Sequence, residues 1–243
     1  MISAIILVKD QLSQLSTALN SVRFCDEILV IDDYSTQDIT PVTKPYGAKV
    51  YHRHLDQDYA AQRNFALSKA TKDWVLFVDA DEIVTPSLQQ EILNVTTTNT
   101  NIEGFYLYRQ DVFLDKVLQY GETSQVTLLR LARKNSGRWA RPVHEIWNIS
   151  GPTEKLHHPL IHQPHATISK FITKINFYTN LEAQYRIQQQ EQFSLIKLVL
   201  FPPLKFFHNY LFKLGFLDGF PGLVMAFIMS LHSLILRVKL YEK

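Results

Sequence analysis

"DWVLFVDADEIVTP", residues 73–86, decides the fold. Its opening run, 73–79, predicts a buried strand, and that strand runs into three carboxylates, Asp79, Asp81 and Glu82. In an open sheet wound with helices, ligands bind beyond the carboxyl ends of the strands. An Asp-x-Asp there suits a divalent cation, because hard carboxylate oxygens bind Mg2+ or Mn2+ and leave positions open for phosphate oxygens. Glu82 is expected to face solvent or to support the loop rather than to bind metal.

Upstream, strand-like and helix-like stretches alternate. "ISAIILV" (2–8), "EILVID" (27–32) and "AKVYHR" (48–53) read as strands, and "QLSQLSTALNSV" (11–22) and "AAQRNFALSKA" (60–70) as helices. Repeated β–α units imply a mostly parallel sheet flanked by helices, an α/β fold of Rossmann-like kind. Asp32 and Asp33 end the second strand as Asp79 and Asp81 follow the fourth, so both acidic ends converge on one crevice. Downstream, "GFYLYRQDVFL" and "QVTLLRLAR" read as longer, antiparallel strands. In "GRWARPVHEIW" (137–147), Pro142 restricts Arg141 and itself, which puts His144 and Glu145 on an irregular segment. Residues 168–185 read as an amphipathic helix with Ile168, Phe171, Ile172, Ile175, Tyr178 and Tyr185 on one stripe. "TTTNTN" (96–101) reads as a surface loop.

The tail differs from the rest. Residues 194–243 hold six Lys/Arg against two Asp/Glu, a net +4, while the remainder of the chain is −2. Residues 219–236 contain no Asp, Glu, Lys or Arg, and a helix of that length spans about 27 Å, at the border of what crosses a bilayer. Pro221, Gly222 and His232 favour helices lying on or dipping into one leaflet over a clean span. A hydrophobic hairpin packed on the catalytic domain or on a dimer partner is the competing reading. The overall charge of +2 argues against a dedicated nucleic-acid binder. The single cysteine, Cys25, excludes an internal disulfide and points to a reducing compartment. The N-terminal apolar run is too short for a secretory signal, so a cytoplasmic location is expected, at the inner face of the cell membrane. Five of nine histidines, His144, His157, His158, His162 and His165, lie within 22 residues, but without cysteines or regular spacing a structural zinc site is not expected.

With "EILVIDDYSTQDIT", "AAQRNFALSKATKDWVLFVDADEIVTPSL", "RPVHE", "FITKINFYT" and "GFLDGFPGLVMAFIMSLHS" in this order, the chain resembles family 2 glycosyltransferases of GT-A type. Within that family it is most similar to the bacterial branch of lipopolysaccharide core β-1,4-glucosyltransferases. The resemblance implies a GT-A domain over 1–190, with a nucleotide-binding half (1–100) and an acceptor half (101–190), followed by a hydrophobic basic tail (191–243). It implies that Asp32, with Asp33 as its neighbouring alternative, contacts the nucleotide base, that Arg63 lies near the nucleotide and its phosphates, and that Asp79 contacts the ribose or donor sugar. Asp81 would bind Mg2+ or Mn2+, His162 would approach the metal or diphosphate, Lys174 would contact phosphate, and Glu145 would be the base. The partners so implied are a nucleotide-sugar donor, UDP-linked as a first choice, and a lipid-linked or lipopolysaccharide-type glycan acceptor.

The chain departs from the family pattern twice. The first strand ends in Lys9-Asp10 where Asn-Glu is usual, and the sequence around His162 is "HQPH". A polyprenyl-phosphate sugar synthase and a non-catalytic membrane scaffold that binds nucleotide sugars are the alternatives. A haloacid-dehalogenase-type phosphatase fits less well, because the Asp-x-Asp follows three β–α units and Ile83 stands two residues after it.

Overall fold

The computed structural model describes residues 1–98, 101–124, 126–163 and 167–242, and divides into two compact units. The first is Met1–Arg109 with Thr127–His162, and the second is Gln110–Val126 with Gln163–Lys243.

In the first unit, β1 (Ile2–Val8) lies parallel to β2 (Glu27–Asp32), and β2 lies parallel to the outer strand β3 (Lys49–His52). On its other side β1 pairs in parallel with β4 (Trp74–Asp79), so Ile5 has Leu29 on one flank and Phe77 on the other. Between their polar ends these three central strands are apolar because both faces are covered. α1 (Leu12–Ser21) buries Leu15, Ala18 and Leu19 against the sheet. α2 (Thr40–Thr43) is a single turn before β3. α3 (Tyr59–Lys69) is capped by Asp58, whose carboxylate accepts the Ala61 N–H at 2.8 Å.

After β4 the chain reverses through Ala80 and Asp81 into the short β5 (Glu82–Val84), which the sequence did not announce. α4 (Pro86–Thr97) follows at once, with Thr85 as its N-cap and Pro86 at its first turn. α4 takes in the first two residues of the "TTTNTN" stretch, and Asn99 and Thr100 lie outside the described residues. The sheet is completed by β6 (Gly104–Phe113), β7 (Lys116–Val117), β8 (Val126–Arg133) and β11 (Thr153–His162), in the order β3-β2-β1-β4-β8-β6-β11-β5 with β7 paired to β6. β8 runs antiparallel to β4, and β11 antiparallel to β5, with His162 opposite Glu82. β9 (Gly137–Ala140) and β10 (Ile146–Ile149) form a separate hairpin. Of residues 137–147, therefore, only the hairpin turn is irregular. A β-carbon on Gly137 would lie 1.8 Å from the Asn148 carbonyl oxygen, so only glycine fits there.

The second unit contains β7, α5 (Ile168–Gln188), α6 (Leu195–Phe207) and α7 (Phe220–Tyr241). Phe113, Leu118, Phe171, Ile175, Met225 and Ile228 form its core. The predicted stripe on α5 holds at Phe171 and Ile175 and then drifts to Thr179, Glu182 and Ala183. Ile168 is exposed, which corrects its assignment to the buried face.

β11 is fastened to α4 by one carboxylate. Glu91 accepts the N–H groups of His157 and His158 and faces both imidazole Nδ1 atoms at 2.9–3.0 Å. Burial alone would raise its pKa, but these hydrogen bonds lower it from the ordinary 4.5 to about 2. A carboxyl whose pKa falls on folding contributes its full stabilisation above 4.5 and loses it as pH falls towards 2. Glu91→Gln is therefore expected to be less stable than the wild type at neutral pH, by a margin that closes between these two values. Denaturant unfolding at a series of pH values measures this, and a constant margin would exclude the charge as its cause.

Candidate active site

The site is built around one buried arginine. Arg63 lies on α3 with 2 % of its surface exposed. Its Nε donates to Glu145 Oε1 at 2.8 Å and its Nη2 to Asp79 Oδ1 at 2.9 Å. The guanidinium lies over Trp139, 4.8 Å from the ring centroid, and 5.5 Å from that of Phe77. Trp139 in turn stacks on Trp147, with Phe77 edge-on to both. The two tryptophans of this aromatic wall come from the β9–β10 hairpin, whose turn carries Glu145, and Phe77 comes from β4. Arg141 and His144 in that turn both have positive φ, 70° and 51°, a conformation that costs non-glycine residues energy and clusters at functional sites.

Asp79 is held from both sides. Arg130 on β8 donates through Nη2 to Asp79 Oδ2 at 2.6 Å and lies 3.4 Å from Glu82 Oε1. Burial opposes ionisation of Asp79, but the charges of Arg130 and Arg63 and their hydrogen bonds outweigh it and hold the carboxyl far below its usual range. Glu82 is 0 % exposed and accepts the Asp79 N–H at 2.9 Å, so it supports the loop and does not face solvent. Burial, only partly offset by Arg130, raises its pKa. Arg130 was not singled out from sequence; the available signal was an arginine inside the apolar run "LLRLA" (128–132).

Asp81, the other acid of the pair, is buried and directed elsewhere: its Oδ2 lies 3.6 Å from His162 Nε2. The β5–β11 register brings these two together. One carboxylate and one imidazole leave most coordination positions to water and phosphate oxygens, a donor set that fits Mg2+ or Mn2+. No group of three His, Cys, Asp or Glu ligands occurs among the described residues. Arg63 Nη1 and Arg130 Nε and Nη1 are buried without a hydrogen-bond partner. Each such donor costs about 1–3 kcal/mol, a penalty that an anionic ligand would relieve.

Asp32 and Asp33 are engaged within the chain. Asp32 Oδ1 accepts the Ser35 N–H and hydroxyl, and its Oδ2 lies 3.1 Å from His52 Nδ1. Asp33 accepts the Leu55 N–H and pairs with Lys9 at 3.1 Å. Asp10 accepts the N–H and hydroxyl of Thr36. The unusual Lys9-Asp10 end of β1 thus fastens the turn after β2. That turn presents Tyr34, at φ 50°, stacked on His54 with centroids 4.0 Å apart. Lys174 lies on α5 in the second unit. His144 is exposed in the Glu145 turn, and His165 lies outside the described residues.

The ion-pair chain Glu145–Arg63–Asp79–Arg130–Glu82 predicts an asymmetric response to substitution. Arg130→Met leaves the buried Glu82 without its cation, beside an Asp79 still held by Arg63, and is expected to cost about 3–5 kcal/mol in denaturant unfolding. Adding Glu82→Leu is expected to restore much of that loss, since removing a buried pair together is far less harmful than removing one member.

The sequence profile described as Glycosyl transferase family 2 matches residues 3–151. An uncharacterized glycosyltransferase of Rickettsia conorii is 28% identical over 259 residues, covering 99% of this chain and 90% of its own. The lipopolysaccharide core biosynthesis glycosyltransferase LpsC of Rhizobium meliloti is 24% identical over 253 residues, covering 100% of this chain and 92% of its own. Among solved structures, S. aureus TarS 1-349 superposes with a TM-score of 0.52 at 18% identity, over 99% of this chain and 88% of that one. The mixed sheet with its flanking helices is therefore shared with TarS, and by the profile match over residues 3–151 this chain belongs to glycosyl transferase family 2.

Proposed function

We propose that the chain is an inverting, metal-dependent transferase that moves a sugar from a nucleotide-sugar donor to a lipid-linked or lipopolysaccharide-type glycan, at the inner face of the cell membrane. The observation that carries this reading is the ion pair of Arg63 with both Glu145 and Asp79, which joins a turn carboxylate to the acidic strand end. Two relatives support it. TarS has been crystallised with UDP-GlcNAc, which favours a UDP-sugar as donor, and LpsC is named for lipopolysaccharide core biosynthesis, which favours that acceptor class.

In this reading Asp81 and His162 hold the divalent cation. Bound there, the cation supplies positive charge to the departing diphosphate. The unpartnered N–H donors of Arg63 and Arg130 orient the same anion. Asp79, fixed between those two arginines, offers the donor sugar a carboxylate that stays ionised. Glu145 removes the proton from the acceptor hydroxyl as its oxygen attacks the anomeric carbon. The new C–O bond forms on the face opposite the breaking bond to phosphate, so configuration inverts. One carboxylate suffices for this chemistry, and the Arg63 guanidinium holds it in place. Asp32, Asp33, Lys9 and Asp10 shape the turn at the nucleoside end.

The test is a transfer assay over a panel of nucleotide sugars, with membrane extract as acceptor, in Mn2+ and in chelator. Glu145→Gln is expected to lower kcat by about 10²–10⁴, with little change in donor KM. Asp81→Asn is expected to raise the Mn2+ concentration needed for half-maximal rate. Full transfer by Glu145→Gln would remove it as base and favour a phosphate acceptor, as in polyprenyl-phosphate sugar synthases. Absence of transfer and of donor hydrolysis over the whole panel would sink the reading.

A further inference from the structure

Eighteen of the twenty-five large apolar side chains that stand exposed among the described residues lie between Leu195 and Tyr241. They are not scattered. On α6, Leu195, Ile196, Val199, Leu200, Leu204 and Phe207 form one outward stripe, with Ile196 71 % exposed. The opposite side of α6 packs on α7: the Ser230 hydroxyl donates to the Pro202 carbonyl at 2.7 Å, and Phe206 meets Phe227 with centroids 4.5 Å apart. The turn between the helices carries Leu211, Phe212, Leu214, Phe216 and Leu217 outward, Phe212 at 79 %, and Phe220 at the start of α7 continues the patch. Soluble monomers seldom expose contiguous apolar surface on this pattern, and where they do it marks a protein or membrane contact.

Charge identifies what covers it. Between residues 195 and 241 the one acidic side chain is Asp218, and it is buried. The cations of that stretch are Lys197, Lys205, Lys213, Arg237 and Lys239. Two copies of this face would bring like charges together, whereas anionic lipid headgroups complement them.

The packing of α7 fixes the depth. Phe220–Tyr241 is long and apolar enough to cross a bilayer. Yet α5 lies along it: Met225 and Ile228 share a core with Phe171 and Ile175, and the Lys239 ammonium donates to Asn176 and to the Thr179 hydroxyl. α5 carries Lys170, Lys174, Glu182 and Arg186. A spanning α7 would draw those charges into hydrocarbon, where they are strongly disfavoured. Pro202 and Pro203 also remove the N–H groups that would satisfy the Leu198 and Val199 carbonyls, which suits the hydrated interface rather than the bilayer centre.

We propose that α6 and the 208–220 turn form a monotopic lipid-docking surface, inserted into one leaflet of an anionic membrane, with α7 lying over it and crossing nothing. This rests on the membrane reading above and names its surface and mode. The turn also grips the segment before β8. Asp218 accepts the N–H groups of Gln119 and Tyr120 and faces the Lys116 ammonium at 3.7 Å, Asn209 accepts the Glu122 N–H, and Lys205 pairs with Glu122. Insertion therefore holds residues 116–122 close to the headgroups, within reach of a lipid-borne glycan.

The test uses the full chain and flotation with vesicles of phosphatidylethanolamine and phosphatidylglycerol in equal parts. Wild type is expected to float. Ile196→Glu/Leu204→Glu and Phe212→Glu, which alter exposed positions, are expected to lose binding by about tenfold or more while keeping wild-type thermal stability and donor-induced thermal shift. A Phe212→Trp variant is expected to be quenched by lipids brominated near the headgroup more than by lipids brominated at the chain ends. Flotation of the Glu variants equal to wild type would refute this surface while leaving membrane association standing. Failure of wild type to float would remove both. Strongest quenching from the chain ends would indicate a span. A vesicle-free dimer that Ile196→Glu/Leu204→Glu dissociates would make a second copy the occupant. Either result overturns the proposal.

Discussion

Arg63 is the constraint on which the site depends. It is a buried cation that touches a carboxylate from each side of the crevice, Asp79 at the end of β4 and Glu145 in the β9–β10 turn. A lone buried guanidinium would be costly, so both acids are required for its burial. The aromatic wall of Phe77, Trp139 and Trp147 restricts where the guanidinium can lie. With Arg63 so held, the strained 141–145 turn has a fixed endpoint.

The same constraint separates the two acids of the Asp-x-Asp. Asp79 is taken by arginines, whereas Asp81 turns towards an imidazole. Neighbouring carboxylates in one short turn thus have different electrostatic surroundings, and groups with different surroundings can take different roles. Glu82 completes the arrangement from beneath, buried and pushed towards its neutral form while it receives the Asp79 N–H.

Much of this was legible in the sequence. Apolar strand runs and intervening helices gave the parallel core, because strands covered on both faces need no polar side. The acids at strand ends and the Pro142-constrained turn marked the crevice. What could not be read depends on pairing between distant segments. Arg130 stands in an unremarkable apolar run until the antiparallel β4–β8 pairing sets it against Asp79. His162 meets Asp81 only through the β5–β11 register, and β5 is three residues long, too short for periodicity to show. Lys9 and Asp10 departed from the family pattern without an evident reason, and the reason lies about 25 residues away, in the Asp33–Thr36 turn they fasten. On α5, a helix of 21 residues, the buried face drifts because a helix covering several neighbours does not keep one straight stripe.

In the proposed reading Asp81, and not Asp79, is the metal ligand. Crystals grown with UDP and Mn2+, with data collected at the manganese absorption edge, address it directly. An anomalous peak bonded to Asp81 and His162, with Arg63 still bridging Asp79 and Glu145, is the predicted result. A peak bonded to Asp79, with Arg63 or Arg130 displaced from it, would contradict the account.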